Sequence, residues 1–238
     1  SAQGEAYLQA ILQRFTDHGV KYIRLDAAGY AIKKAGTSCF MLPETFEFIE
    51  KLSQQAKARG MTCLVEIHGY HKTQIEIAKR CDMVYDFALP PLVLHTIFSG
   101  NAQALKTWLD IAPRNCITVL DTHDGIGIVD AADYQGAPGL LTDPELDSLV
   151  EKIHHNSGGS SKLATGNAAN NVDLYQVNCS FYDALGQNDQ QYLLARAIQL
   201  FCPGISQIYY AGLLAMPNDV ELLQKSRVGR DIGRPYLT

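Results

Sequence analysis

The chain lacks most of the marks by which a sequence declares a partner. It has no GxGxxG fingerprint and no Walker loop, so nothing points to a nucleotide-binding turn after its first strand. It has no Lys/Arg-rich run, and its formal net charge is −5, so a nucleic-acid partner is not expected. Its apolar stretches are strand length, too short to span a membrane. No signal peptide is visible at the start. None of the six cysteines (Cys39, Cys63, Cys81, Cys116, Cys179 and Cys202) forms a CxxC pair. Their wide spacing predicts reduced thiols in a cytoplasmic protein rather than disulfides. Cys63 and Cys116 fall in predicted strands, where a free Cys acts as a small hydrophobe.

What the sequence does have is material for a core. Of its 238 residues, 47% are hydrophobic, and the length is enough for one large domain or two small ones. Helical and strand patterns alternate along it. Tyr7, Leu8, Ile11, Leu12 and Phe15 repeat at helical spacing over 4–18, and Gly19 ends the run. A second helix is predicted over 43–59, with Pro43 in its first turn and Gly60 past its end. Others are predicted over 71–80, 90–110 (broken near Gly100), 143–155 and 187–202. Five strands are predicted, over 20–26, 61–66, 83–87, 116–120 and 206–210. Strands separated by helices imply a parallel sheet. Without a nucleotide fingerprint, the expected fold is an α/β (β/α) barrel rather than a doubly wound sheet. No repeat or linker interrupts 1–238, which reads as a single region.

Three acids stand where such strands open toward an active-site face: Asp26 after Tyr22-Ile23-Arg24-Leu25, Glu66 after Cys63-Leu64-Val65, and Asp124 in Val119-Leu120-Asp121-Thr122-His123-Asp124. Consecutive strands usually pair, and paired strands lie about 4.8 Å apart. Asp26 and Glu66 could then sit about 5 Å apart, the separation of a retaining glycosidase pair. One would be a nucleophile, the other a general acid and then base. Asp124 could orient hydroxyls and favour a charged transition state, and His123 could donate to a hydroxyl. Arg24 shares a face with Asp26 by the strand period of two, and a carboxylate is its natural partner. A helix-capping role competes for Asp26. Asp121 reads as structural, and Tyr175 by pattern alone is an apolar strand residue.

Two stretches read as long loops: 122–142, with Gly125, Gly127, Gly136 and Gly139, and the small, polar 156–172. Long loops in a compact α/β domain are often functional, so substrate lids are expected, with a plain surface excursion as the alternative. Gly125-Ile126-Gly127 is only a weak phosphate signal.

Arg24-Leu25-Asp26, the strand-end Glu66 and His123-Asp124 resemble the sugar-site motifs of the α-amylase clan of glycoside hydrolases. Longer stretches resemble the sucrose phosphorylase family within it: 22–30, 35–40, 84–91, 119–127, 173–178 and 229–232. The resemblance spans essentially the whole chain. It implies glucosyl transfer from sucrose to inorganic phosphate with net retention, giving glucose 1-phosphate and fructose, with no metal and no organic cofactor. It casts Asp26 as nucleophile, Glu66 as acid/base and Asp124 as transition-state stabiliser, with Arg24, His123 and Arg230 on the glucosyl unit. Tyr30, Phe40 and His68 line the site beside the scissile bond, and Asp173, Tyr175 and Gln176 form an acceptor loop that binds fructose. A homodimer of the full-length enzyme stays open.

The family's barrel has eight strands, whereas five are predicted here, corresponding to about the fourth to eighth. The earlier strands, an inserted domain and the C-terminal β domain have no counterpart, and no helix is predicted after the last strand. The expectation is therefore an internal fragment of the catalytic barrel, with open sheet edges, low solubility and little activity alone. Three other readings stay open. One is a relative acting on sucrose 6′-phosphate or glucosylglycerate, or a plain hydrolase. Another is an inactive carbohydrate-binding fragment. The third, an aldolase-like barrel, is disfavoured because no predicted strand ends in Lys.

Overall fold

The computed structural model describes residues 1–166, 171 and 174–237. The chain divides into two compact units, Ser1–Ile67 with Thr73–Tyr85, and His68–Lys72 with Asp86–Thr238.

In the first unit, helix α1 (Ala2–Asp17) starts under Ser1, whose hydroxyl accepts from the Gly4 N–H at 3.2 Å. Gly19, at φ 72°, turns the chain toward β1 (Tyr22–Leu25). A short 3-10 turn (Ala28–Tyr30) follows. Helix α2 (Pro43–Lys57) opens on its proline and buries Ile49, Leu52 and Ala56 along one stripe. Then come β2 (Thr62–Val65), α3 (His71–Ala78), which belongs to this unit from Thr73, and β3 (Met83–Asp86), which belongs to it up to Tyr85. β1 and β2 run parallel, from Tyr22 opposite Thr62 to Leu25 opposite Val65. β3 joins the other side of β2, with Leu64 opposite Met83. Ile23, Cys63 and Val65 point into the core with Met61, each contributing roughly 1–3 kcal/mol of hydrophobic stabilisation.

The second unit holds α4 (Leu89–Ser99), apolar around most of its surface, with Leu89, Leu92, Val93 and Leu94 fully buried. Gly100 at φ 71° separates it from α5 (Gln103–Ile111). Next are β4 (Cys116–Thr118), β5 (Ile126–Gly127) and α6 (Asp143–Asn156), the last opened by a Thr142/Glu145 capping box. They are followed by α7 (Ser160–Thr165), β6 (Gln176–Val177), α8 (Phe181–Ala184), α9 (Asp189–Phe201) and β7 (Ile205–Ser206). Helices α10 (Tyr210–Leu213) and α11 (Val220–Ser226) and a 3-10 turn (Gly229–Gly233) complete it. β4 and β7 are parallel, with Ile117 opposite Ile205, whereas β5 and β6 are antiparallel. Parallel strands with helices between them make this an α/β chain. Among the described residues, no helix is long and apolar enough to cross a membrane.

Four expectations need correction. The predicted strand 206–210 is short: after Ser206 only the Gln207 N–H continues the ladder, to Thr118 O at 3.0 Å, and a helix starts at Tyr210. The chain does carry helices after its last strand. The 122–142 stretch is not simply loop, because Ile126–Gly127 pairs with Gln176–Val177, and the 156–172 stretch contains α7. Asp124 lies beyond a strand that already ends at Thr118. For the strands, tertiary pairing set the boundary, which local pattern does not contain.

Candidate active site

β1 and β2 end in register, and the ladder runs one bond further, the Glu66 N–H donating to Leu25 O at 3.0 Å. Asp26 and Glu66 are therefore the next residues abreast, on one side of the pleat. Their surroundings differ. Glu66 is buried at 7% exposure, whereas the Asp26 side chain is 71% exposed. Glu66 Oε2 accepts from the Ala27 N–H at 2.6 Å. Ala27 makes that bond from the left-handed region, φ 46°, a conformation that costs an L-residue about 1 kcal/mol. Asp26 caps no helix, since the turn after it is capped by Ala27 without a side-chain bond. Its partner is Arg24, Nη1 to Oδ1 at 2.6 Å, and the guanidinium lies 5.8 Å from the Tyr85 ring centroid. In the same unit Tyr30 and Phe40 stack with centroids 4.8 Å apart. Gly29 permits the approach of Phe40, because a Cβ there would come within 2.7 Å of its ring.

In the second unit Asp124 is the focus of a basic cluster. Arg230 Nη1 is 2.8 Å from Asp124 Oδ1, and Arg234 Nη2 is 3.6 Å from the same oxygen. His123 Nε2 lies 3.7 Å from Oδ2. Oδ1 is buried and none of these contacts has hydrogen-bond alignment, so the attraction is mainly ionic. Arg234 Nε also donates to the His123 carbonyl at 2.7 Å, and the Asp124 N–H donates to Thr122 Oγ1 at 3.1 Å. Three residues upstream, Asp121 forms a buried ion pair with Arg196 at 2.5 Å, anchoring this loop to α9.

A second cluster in that unit centres on His68. Its Nδ1 is 2.7 Å from Asp130 Oδ2, both side chains being essentially inaccessible. Asp130 Oδ1 accepts from the Gly69 N–H at 2.9 Å. Gln176 Nε2 is 3.0 Å from His68 Nε2, the Phe87 ring stacks on the imidazole at 3.7 Å, and Tyr175 meets it edge-on at 5.5 Å. A Cβ on Gly127 would lie 2.0 Å from Asp130 Oδ2. Only glycine fits there.

In the first unit Arg24, Asp26 and Glu66 thus lie together at the strand ends, and Tyr30 packs on Phe40. In the second, His123, Asp124 and Arg230 form one group, and His68, Tyr175 and Gln176 another. Asp173 lies outside the described residues. Tyr175 is not an apolar strand residue; it is 46% exposed and precedes β6. Neither Arg234 nor Asp130 stands out in the sequence. The glycine at 127 is the only trace of Asp130's position, and it does not name His68, which is 62 residues away in the chain.

The chain as a whole is similar to known proteins. No family model matches the chain. Sequence and fold both class it as a homologue of phosphorylases. The crystal structure of sucrose 6F-phosphate phosphorylase from Thermoanaerobacter thermosaccharolyticum superposes with a TM-score of 0.85 at 37% identity, over 98% of this chain and 47% of that one. More particularly, the chain is a homologue of sucrose phosphorylases. It is 62% identical to that of Agrobacterium vitis over 99% of its length and 49% of the relative's. It is 52% identical to that of Bifidobacterium adolescentis, over 99% of its length and 47% of the relative's. The chain spans about half the length of the curated relatives it matches.

Proposed function

We propose that this chain carries catalytic residues of a sucrose phosphorylase, a transferase that moves a glucosyl unit from sucrose to inorganic phosphate through a glucosyl-enzyme. The observation that carries the reading is the strand-end pair: a buried Glu66 abreast of an Asp26 held by Arg24. The 62% identity to a sucrose phosphorylase supplies the substrate.

On this reading the Asp26 carboxylate attacks the anomeric carbon while Glu66 gives its proton to the departing fructosyl oxygen. Glu66 is buried and fixed by the Ala27 N–H, and the resemblance casts it as the acid/base. Arg24 holds the exposed Asp26 carboxyl in place for attack. Glu66 then takes a proton from phosphate as the phosphate oxygen displaces Asp26, and two inversions give net retention. Asp124 opposes the positive charge that develops on the sugar ring, His123 and Arg230 hold Asp124, and Arg24, His123 and Arg230 bind the glucosyl unit. Tyr30, Phe40 and His68 line the side of the scissile bond, and Asp173, Tyr175 and Gln176 take the fructosyl group. The chain is read as one region of a catalytic (β/α)8 barrel, about its fourth to eighth strands, in a cytoplasmic enzyme that uses no metal.

The test is Asp26→Asn in the full reading frame. Removing a nucleophile lowers kcat by about a thousandfold or more, and sucrose turnover at the wild-type rate would overturn the reading. The likeness to a sucrose 6F-phosphate phosphorylase supports a second reading with that donor. Parallel assays with sucrose and sucrose 6′-phosphate separate the two. Calorimetric binding of sucrose without turnover would instead mark an inactive carbohydrate-binding piece.

A further inference from the structure

We infer that Asp130 is the positioning residue of the acceptor side: it fixes His68 with its ring proton on Nδ1, leaving Nε2 as a hydrogen-bond acceptor for a hydroxyl of the sugar leaving group. The inference rests on the functional reading above and adds to it a residue the chemistry does not touch.

The hydrogen bonds around Asp130 decide the tautomer. Asp130 Oδ1 accepts from the Gly69 N–H at 2.9 Å, and Oδ2 faces His68 Nδ1 at 2.7 Å. The Gln176 amide nitrogen, 3.0 Å from His68 Nε2, can only donate, so Nε2 accepts and Nδ1, facing Asp130, is the nitrogen that carries the proton. Nε2 of the neutral ring then presents a lone pair. In the structure the Gln176 amide donates to it at 3.0 Å. Nε2 has a single lone pair, so a sugar hydroxyl makes the same kind of bond by taking the place of the Gln176 amide, whereas a phosphate oxygen, itself an acceptor, does not. The geometry therefore favours a hydroxyl-bearing group at this nitrogen over phosphate.

The ring is also held mechanically. Phe87 stacks on it at 3.7 Å and 15° between planes, so it cannot rotate to exchange its nitrogens. The space for the carboxylate is made by Gly127, where a Cβ would sit 2.0 Å from Oδ2 and 3.1 Å from His68 Nδ1. β5 carries Gly127 and β6 carries Gln176, opposite each other in register. One antiparallel pair thus brings together the residue that makes room for Asp130 and the amide that tests its effect on Nε2.

Asp130→Asn reverses the pattern. The Gly69 N–H still needs an acceptor, so the Asn oxygen stays there and its NH2 faces Nδ1. That amide donates, which drives the ring proton to Nε2 and removes the acceptor. The experiment uses the protein expressed from its full reading frame. Expected for Asp130→Asn is a fall of about tenfold in kcat/KM for sucrose, the loss of one hydrogen bond. With α-glucosyl fluoride as donor, whose leaving group has no hydroxyl, kcat/KM stays within about twofold of wild type. Equal loss on both donors would assign Asp130 a merely structural role and overturn the inference, as would no loss on either. A measurement on the wild type needs no variant: ring 15N correlations of selectively labelled His68 should show the Nδ1–H form, and a proton on Nε2 alone would overturn it. Wild-type enzyme that releases no fructose from sucrose would instead overturn the functional reading, while the tautomer is decided separately.

Discussion

The indole N–H of Trp108 is shared between both carboxylate oxygens of Asp86, at 3.0 and 3.1 Å, in a fully buried setting. Asp86 ends β3, and its Oδ1 also accepts from the Leu89 N–H at 3.0 Å in the first turn of α4. On the other side of the indole, His71 meets it edge-on at 6.1 Å, with its Nδ1 buried and unbonded among the described residues. Burial pushes the Asp86 carboxyl up to about 6, partly opposed by the Trp108 and Leu89 N–H groups, and pushes His71 down to about 4, with Lys72 adding to it.

The two groups tilt stability in opposite directions with pH. Asp86 holds its proton in the folded state at pH values where the unfolded chain has lost it. Its contribution is complete below its ordinary value of 3.8 and is lost as pH rises through about 6. That amounts to on the order of 3 kcal/mol. His71 stays neutral in the folded state while the unfolded chain protonates, so its contribution is complete above 6.5 and is lost as pH falls through about 4. Between these limits the slopes oppose. Asp86→Asn removes one of them, and its unfolding free energy should rise with pH more steeply than wild type, by about 1.4 kcal/mol per pH unit. Urea titrations at several pH values from 4 to 6.5 measure this. Parallel slopes would show that Asp86 is ionised throughout.

Thiol reactivity should be confined to one residue. Burial pushes Cys63 and Cys202 up to about 11 and Cys81, Cys116 and Cys179 up to about 12. Cys39 moves the other way, because the Lys34 backbone and the Thr37 side chain hydrogen-bond its sulfur. Thiolate is the reactive form. A disulfide reagent at neutral pH should therefore label Cys39 first, and Cys39→Ser should abolish the fast phase. A buried cysteine that reacts equally fast would contradict the assignment.

The outward side of α9 predicts self-association of the isolated chain. Leu193, Leu200 and Phe201 are 69%, 56% and 92% exposed, and Ile205 on β7 is 58% exposed. Large apolar side chains this exposed along one helix favour association in water. The 238-residue chain should elute as oligomer or aggregate on size-exclusion chromatography. Phe201→Asp combined with Leu200→Lys should shift it toward monomer. A monodisperse wild-type monomer with a cooperative melt would refute this.

How much was legible beforehand depends on the range of the interaction. The helices at 43–59 and 143–155 are written in local terms: a proline at the first turn, an apolar stripe and a Gly or capping residue at the ends. The alternation with β1, β2, β3 and β4, and the placing of Asp26 and Glu66 just past two of those strands, follow from apolar runs that end at an acid. Short pairings were not legible. Ile126–Gly127 and Gln176–Val177 are two residues each, and nothing local distinguishes them from loop until each has the other as partner.

The sequence by itself determined the class of structure and the identity of the acids, because periodicity and strand-end chemistry act over a few residues. The period of two also placed Arg24 beside Asp26, but only the tertiary structure decided the other surroundings: Ala27's N–H on Glu66, Arg230 and Arg234 around Asp124, and Asp130 behind His68. Those relations join residues as far as 110 positions apart. Charge, burial and hydrogen-bond direction at such distances exist only once the chain has closed on itself.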